Sequence, residues 1–212
     1  MIFEKKKQEM ISRLRQRGIS DEKVLSAMTK VPRHKFVAAG MELQAYDEKA
    51  LPIGFDQTIS HPYTVALMTQ HLHVKKNDRI LEIGTGSGYQ AAVLCEMEAN
   101  VFSIERIRQL ATAARKKLDD LNYHCLLRVG DGTLGWQQYA PFDGIIVTAG
   151  APVVPEKLKE QLKDGARLLI PVGDKESQRL FCYVKTGDNL EENIVEQLKF
   201  VPLIGAGGWR KI

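Results

Sequence analysis

The chain has 212 residues, 44% of them apolar, and carries 30 Lys and Arg against 26 Asp and Glu for a formal net charge of +4. That composition suits one compact domain, able to bury roughly 70% of the surface its unfolded form exposes, and it excludes dependence on a disulfide staple. No window approaches about 18 uninterrupted apolar residues, so neither a membrane span nor an export signal is expected.

The N-terminal section reads as helical. Glu4 to Arg17 forms a first helix that stops at Gly18, and Ser20 with Asp21 and Glu22 caps a second one bearing Val24, Leu25 and Met28, which Pro32 ends. Residues 1–35 hold ten Lys and Arg against four Asp and Glu, so this arm is basic and the remainder slightly acidic. A basic arm can serve nucleic acid. Met10, Ile11 and Leu14, however, form a helical stripe with the charges on the other side, and no aromatics are interleaved for base stacking. A solvated helix face is the stronger reading, and nucleic acid is not an expected partner.

Leu51 to Ser60 is turn-rich, and Pro62 has the place of a first helical residue in a helix reaching about Leu72. Strand and helix then alternate. Strands are predicted near Arg79–Ile83, Asn100–Ile104, Cys125–Val129, Phe142–Val147 and Arg167–Val172, with helices near Gln90–Met97, Ile107–Leu121 and Glu156–Leu162. This is the pattern of a mostly parallel α/β sheet covered on both faces. Further strands near Arg179–Lys185 and Ile194–Val201, joined at Gly187-Asp188-Asn189, add a C-terminal antiparallel hairpin. We expect one domain over 1–212, made of a helical section with a substrate-side motif (1–75), a cofactor-binding α/β core (76–175) and the hairpin with a substrate loop (176–212). Cys95, Cys125 and Cys182 lie far apart without a C-x-x-C pair and read as free thiols, which fits a reducing cytoplasmic setting.

Within the core, the apolar strand Arg79–Ile83 runs into three alternate glycines, Gly84, Gly86 and Gly88. The dinucleotide fingerprint is G-x-G-x-x-G. Here the third glycine falls one residue early, with Tyr89 in the final glycine's place, and this G-x-G-x-G form belongs to methyltransferases. It points to S-adenosylmethionine as cofactor, S-adenosylhomocysteine as product, and a Rossmann-like S-adenosylmethionine-dependent methyltransferase fold. Gly84 and Gly86 let backbone approach a ligand closely, and a helix opening near Ser87 offers free N–H groups. Glu105, closing the second core strand, is placed to accept from both ribose hydroxyls, a surface pair with Arg106 or Arg108 being the competing reading. Asp131, between Gly130 and Gly132, is placed to meet the adenine amino group, with a plain turn aspartate as the alternative. Glu82 either reaches the sulfonium side or orients the glycine loop, and both stay open.

Methyl transfer is an in-line displacement that needs an electron-rich acceptor held against the methyl carbon and shielded from water. An exocyclic base amine calls for an Asn/Asp-Pro-Pro-Tyr/Phe motif after the fourth strand, where this chain reads Val147-Thr148-Ala149-Gly150-Ala151-Pro152. Cytosine C5 chemistry needs a cysteine there, and the nearest are Cys125 and Cys182. A metal-assisted catechol site needs a ligand cluster, which the five histidines do not supply; His71 and His73, two apart, face different ways on a helix. A carboxylate asks for least, being already ionised, so that desolvation and one orienting donor suffice. Ser60 before the Pro62 helix fits that role, alongside or instead of capping the helix.

The run Gly54-Phe55-Asp56-Gln57-Thr58-Ile59-Ser60-His61-Pro62-Tyr63, the glycine loop, Val129-Gly130-Asp131-Gly132, Gly135-Trp136, Ala140–Asp143, Ala149–Pro152, Val31–Val37 and Phe200–Leu203 together resemble protein-L-isoaspartate O-methyltransferases. His61 departs mildly from the Gln or Ala common in that family. The resemblance implies repair of aged proteins by methylation of the free carboxylate of L-isoaspartyl residues in flexible or unfolded segments. It implies Ser60 as the active-site serine, Glu82, Gly84, Gly86, Ser87, Gly88, Glu105, Asp131 and Gly132 as the cofactor shell, and Thr58, Ile59 and the Val201–Gly205 loop with Leu203 as substrate walls. No metal is expected. Among other readings, a methyltransferase acting on RNA or a small carboxylic acid comes next. A non-catalytic binding protein would be expected to have lost the glycines, Glu105 or Asp131, and a nicotinamide reductase lacks a Tyr-x-x-x-Lys pair.

Overall fold

The computed structural model describes residues 2–210. Helix α1, Ile2–Gln16, buries Met10, Ile11 and Leu14 as the stripe predicts, and turns at Gly18. Helix α2, Glu22–Lys30, is capped by Asp21 alone, whose side chain accepts from the amides of Lys23 and Val24. The basic charge of this section is largely neutralised locally: Lys6 pairs with Asp47, Arg13 and Arg17 with Glu48, Arg15 with Glu22, and Lys30 with Glu96.

The turn-rich segment is a hairpin, a correction to the sequence reading. Strands β1, Leu51–Gly54, and β2, Gln57–Ile59, pair antiparallel around Phe55 and Asp56, both left-handed with φ of +55° and +56°. Two left-handed central residues are what a tight hairpin needs, and Asn-Gly rather than Phe-Asp is their usual signature. Helix α3, Pro62–Leu72, follows directly.

Seven strands form the main sheet: β3 Arg79–Ile83, β4 Asn100–Glu105, β5 Leu126–Val129, β6 Phe142–Val147, β7 Leu162–Gly173, β8 Gln178–Thr186 and β9 Asn189–Leu198. Their order is β5-β4-β3-β6-β7-β8-β9, parallel through β7 and antiparallel at the β7/β8 and β8/β9 seams. Helices α4, Tyr89–Glu96, α5, Arg108–Asp120, and the short α6, Glu156–Glu160, connect the parallel strands. Two boundaries differ from expectation. β7 begins at Leu162 and leaves α6 only five residues, and β9 begins at Asn189 because Gly187-Asp188 closes a tight turn, which frees Val201 from the sheet.

Alternation along the strands divides the core. Ile80, Ile146 and Leu169 face the N-terminal helices and α4, whereas Leu81, Ile83, Ile145, Val147 and Leu168 pack on the other side with Leu158 and Phe142. Strand order reverses at β3, which lies between β4 and β6, and ligands of open α/β sheets bind at the carboxyl edge of such a switch point.

Candidate active site

Register builds the site. Ile83 stands opposite Ile104 of β4 and Val147 of β6, so the residues that follow, Gly84, Glu105 and Thr148, emerge in one row at the carboxyl edge. Gly84 has φ +96°, and a Cβ there would come within 2.5 Å of the Thr148 hydroxyl, so this turn is closed to any side chain. Thr148 Oγ1 donates to the carbonyls of Ile83 and Gly84, latching β6 onto the first turn of the glycine loop. Gly132 is equally constrained, because a Cβ would meet Ile83 Cγ2 at 2.3 Å.

Above this row opens a cleft with about 880 Å³ of space, part of it continuous with solvent. It brings together Thr58, Ile59, Ser60, Gly84, Gly86, Ser87, Glu105, Gly132 and Leu203, all named from the sequence. Val201, Pro202 and Ile204 border the same space, held by reciprocal bonds in which the amides of Gly150 and Leu203 donate to Val201 O and Gly150 O at 2.8 Å each.

Glu105 is buried and pairs with neither Arg106 nor Arg108. Its Oε2 accepts from the Gly86 amide at 2.9 Å and its Oε1 from the Ile107 amide at 2.8 Å. A carboxylate offers about four acceptor positions, so two remain.

Three residues named from the sequence do not line the cleft. Gly88 opens α4 with φ +89° and faces Ala114 and Leu118 of α5, so it serves the backbone turn at the helix start and not the cleft. Glu82, fully buried beneath the loop, accepts from Ser103 Oγ, which also contacts Thr85 Oγ1; its Oε1 has no partner. Of its two readings, orienting the glycine loop is the one this placement favours. Burial, then the nearby Glu105 charge, pushes its pKa up to about 8, against the hydroxyl of Ser103 and the amide of Ala91. Asp131 lies just behind Gly132: Oδ1 accepts from the amide and hydroxyl of Thr133, and Oδ2 accepts from the Ala206 amide.

Ser60 is not the helix cap. His61 caps α3, its Nδ1 accepting from the Tyr63 amide at 3.0 Å, and no hydrogen bond among the described residues engages the hydroxyl of Ser60, a residue that lines the cleft. Burial, followed by the charge of Arg17, lowers the His61 pKa, consistent with a neutral ring accepting at Nδ1.

Thr148, Gln90 and Ile107 line the cleft without having been singled out from the sequence. The place of Thr148 depends on β6 lying beside β3, which no local pattern encodes, whereas Gln90 and Ile107 closely follow Gly88 and Glu105 in sequence but are of types that mark no cofactor site. Among the described residues no group of three or more His, Cys, Asp or Glu is placed to hold a metal, and no helix is long and apolar enough to cross a membrane.

A family model described as protein-L-isoaspartate(D-aspartate) O-methyltransferase matches residues 5–207. The chain is 46% identical over 209 residues to protein-L-isoaspartate O-methyltransferase of Dictyoglomus thermophilum, covering 98% of this chain and 95% of that one. It is 51% identical over 213 residues to the enzyme of that name from Petrotoga mobilis, covering 99% and 100%. A solved protein-L-isoaspartate O-methyltransferase superposes with a TM-score of 0.87 at 29% identity over 95% of this chain and 67% of its own. A Plasmodium falciparum structure in complex with S-adenosyl-L-homocysteine shares the fold, with a TM-score of 0.81 at 23% identity over 92% of this chain and 97% of that one.

Proposed function

The chain belongs to the protein-L-isoaspartate O-methyltransferase family, and from that premise we propose a division of labour among the residues of its cleft. The activity itself is the family's: S-adenosylmethionine-dependent methylation of the free carboxylate of L-isoaspartyl residues in damaged proteins.

The cleft fits the cofactor on its own donor set. Gly84 leaves a backbone cradle that a side chain would fill, and Glu105 keeps two acceptor positions for the ribose hydroxyls. Asp131, with three of about four positions used, keeps one for an exocyclic adenine amine, and Ser87 lies where α4 begins. When bound, S-adenosylmethionine supplies a methyl group activated by a sulfonium. On the acceptor side the Ser60 hydroxyl donates to one carboxylate oxygen and aims the other at that methyl. The acceptor is already ionised and its charge is cancelled during transfer, so no residue has to remove a proton. Thr58, Ile59 and Leu203 wall the acceptor from water.

The observation that carries this assignment is Ser60, relieved of capping by His61 and lining the same cleft as Glu105 and the glycine loop. Because the acceptor must enter between the β1/β2 hairpin and the Val201–Ile204 segment, flexible or unfolded chain segments are the proposed substrates. A cytoplasmic location is proposed, supported by three free thiols.

The test uses two synthetic peptides that differ only in L-isoaspartate or L-aspartate at one position, with methyl-labelled S-adenosylmethionine. Base-labile label on the isoaspartyl peptide alone is expected. Ser60→Ala is expected to lower turnover about 10- to 100-fold with cofactor affinity nearly intact, the pattern of a lost transition-state contact. Full turnover in that variant would remove Ser60 from the chemistry.

A further inference from the structure

The segment Val31–Val37 has no part in the cleft as described, yet it delivers Arg33 to the back of Ser60. Arg33 has no solvent-exposed surface. Its Nε donates to Ala45 O at 2.7 Å and its Nη2 to Ser60 O at 2.6 Å, while Nη1 has no hydrogen-bond partner. The guanidinium lies 4.6 Å from the centre of the Tyr89 ring, and the Tyr89 hydroxyl is likewise unpartnered. Among the described residues no carboxylate forms an ion pair with it; the groups that act on it are Tyr89 and Tyr46.

A buried charge without a counter-ion is costly, because lost hydration is returned by neutral groups only. Burial pulls the Arg33 pKa down, but a guanidinium stays protonated at neutral pH. Its field reaches the Ser60 end of the cleft: after burial, Arg17 and Glu48, Arg33 is among the charges that act on the neighbouring His61 ring, and it lowers that ring's pKa. Tyr89, stacked on the same guanidinium, itself lines the cleft at the start of α4. Arg33 thus stands between the acceptor side and the cofactor side, one residue's thickness behind the wall.

We propose that Arg33 is a positioning residue whose buried, unpaired charge makes the Ser60 end of the cleft select an anionic acceptor over a neutral one of the same shape. An acceptor carboxylate loses its hydration on entering, and a fixed positive charge behind Ser60 O offsets that loss in the bound ground state. The acceptor's charge disappears as the methyl is transferred, so the contribution falls mainly on substrate binding and appears in KM more than in kcat. The inference rests on the reading of Ser60 as the acceptor-side residue.

The experiment measures equilibrium binding of two peptides to the enzyme saturated with S-adenosylhomocysteine, one with L-isoaspartate and one with its neutral isoasparaginyl analogue. Wild type is expected to prefer the acid by about tenfold or more, the scale of a close charge partner in a desolvated site. Arg33→Gln, which removes the charge and keeps one shorter amide donor, is expected to reduce that preference to less than about threefold, with kcat changed less than KM. A wild-type preference near unity, or a preference unchanged in Arg33→Gln, overturns the proposal. Should Arg33→Gln fail to bind S-adenosylhomocysteine, Arg33→Lys beside Arg33→Met decides: a preference kept in the lysine variant and reduced in the methionine variant supports the proposal, whereas equal preferences in the two, or a collapsed preference in Arg33→Lys, overturn it. Full turnover in Ser60→Ala would defeat the underlying site reading, whereas an impaired Ser60→Ala with an unchanged preference in Arg33→Gln defeats only the role of Arg33.

Discussion

The Ala206 amide donates to Asp131 Oδ2 at 2.7 Å, joining the C-terminal segment to the turn after β5. Gly207 N reinforces this link by donating to Thr133 Oγ1, and Trp209 Nε1 donates to Gly150 O. Asp131 therefore serves two structures at once. Asp131→Ala is expected to weaken cofactor binding by about 1–3 kcal/mol, the scale of a hydrogen bond to a charged group, and to expose the chain beyond Phe200 to protease. Gly205→Ala strains the same junction from the other side, since its Cβ would fall 2.1 Å from Asp131 Oδ1 and either the segment or the carboxylate must move. Titration with S-adenosylhomocysteine beside limited proteolysis reads both; unchanged cofactor affinity in Asp131→Ala would take that residue out of the adenine site.

Glu105 spends half its accepting capacity on the amides of Gly86 and Ile107 before any ligand arrives. Glu105→Gln replaces one accepting oxygen by an NH2 that must face an amide donor. Cofactor affinity is expected to fall by about 1.5–3 kcal/mol, with kcat at saturating cofactor within a few-fold of wild type. A variant with normal affinity and low kcat would instead place Glu105 in the chemical step.

Glu82 yields a prediction about pH. Its folded pKa of about 8 lies above the ordinary 4.5, so the folded state keeps a proton that the unfolded chain releases. Stability is therefore lost as pH rises from about 4.5 through about 8. Glu82→Gln accepts from Ser103 without titrating, and should match wild type near pH 5 and exceed it at pH 9 by on the order of 2–5 kcal/mol. Melting temperatures at the two pH values measure this, and a difference between the proteins that does not change with pH would mean that Glu82 is not ionising over that range.

How legible was this site in the sequence? The glycine loop was, because strand, turn and helix start are contiguous and Gly84 answers a steric demand that no other residue meets. Glu105 and Gly132 followed, since each sits at the end of its own strand. The β1/β2 hairpin was hidden because Phe55 has no left-handed preference, and Asp56, which tolerates that region, does not by itself announce a tight turn. The start of β9 was hidden for another reason: Asn189-Leu190-Glu191-Glu192-Asn193 is poor in strand formers, and an edge strand bears charges that protect it from further pairing. Thr148 has meaning only once β6 lies beside β3, a topological fact. Ser60 is legible as a candidate, but the cap on His61 is not, because serine outranks histidine in capping preference and sequence does not show which of the two side chains bonds the Tyr63 amide.

That neighbour carries the last prediction. His61 Nδ1 can accept from the Tyr63 amide only while the ring is neutral, and burial with the nearby Arg17 charge, opposed by Glu48, lowers its pKa in the fold. The unfolded ring takes up a proton near its ordinary value of about 6.5 while the folded ring resists. The cap's contribution is thus complete above that value and is lost as pH falls toward the lower folded pKa. His34, His71 and His73 shift in the same direction, so wild type alone does not isolate His61. His61→Ala is expected to cost about 0.5–2 kcal/mol at pH 7.5, the loss of a cap. His61→Asn, a strong cap that does not titrate, should match wild type at pH 7.5 and lose less stability below pH 6.5. Chemical denaturation of the three proteins at pH 7.5 and pH 5.5 tests this; parallel losses in wild type and His61→Asn would mean that the acid sensitivity lies in the other histidines and that His61 is a cap without a switch.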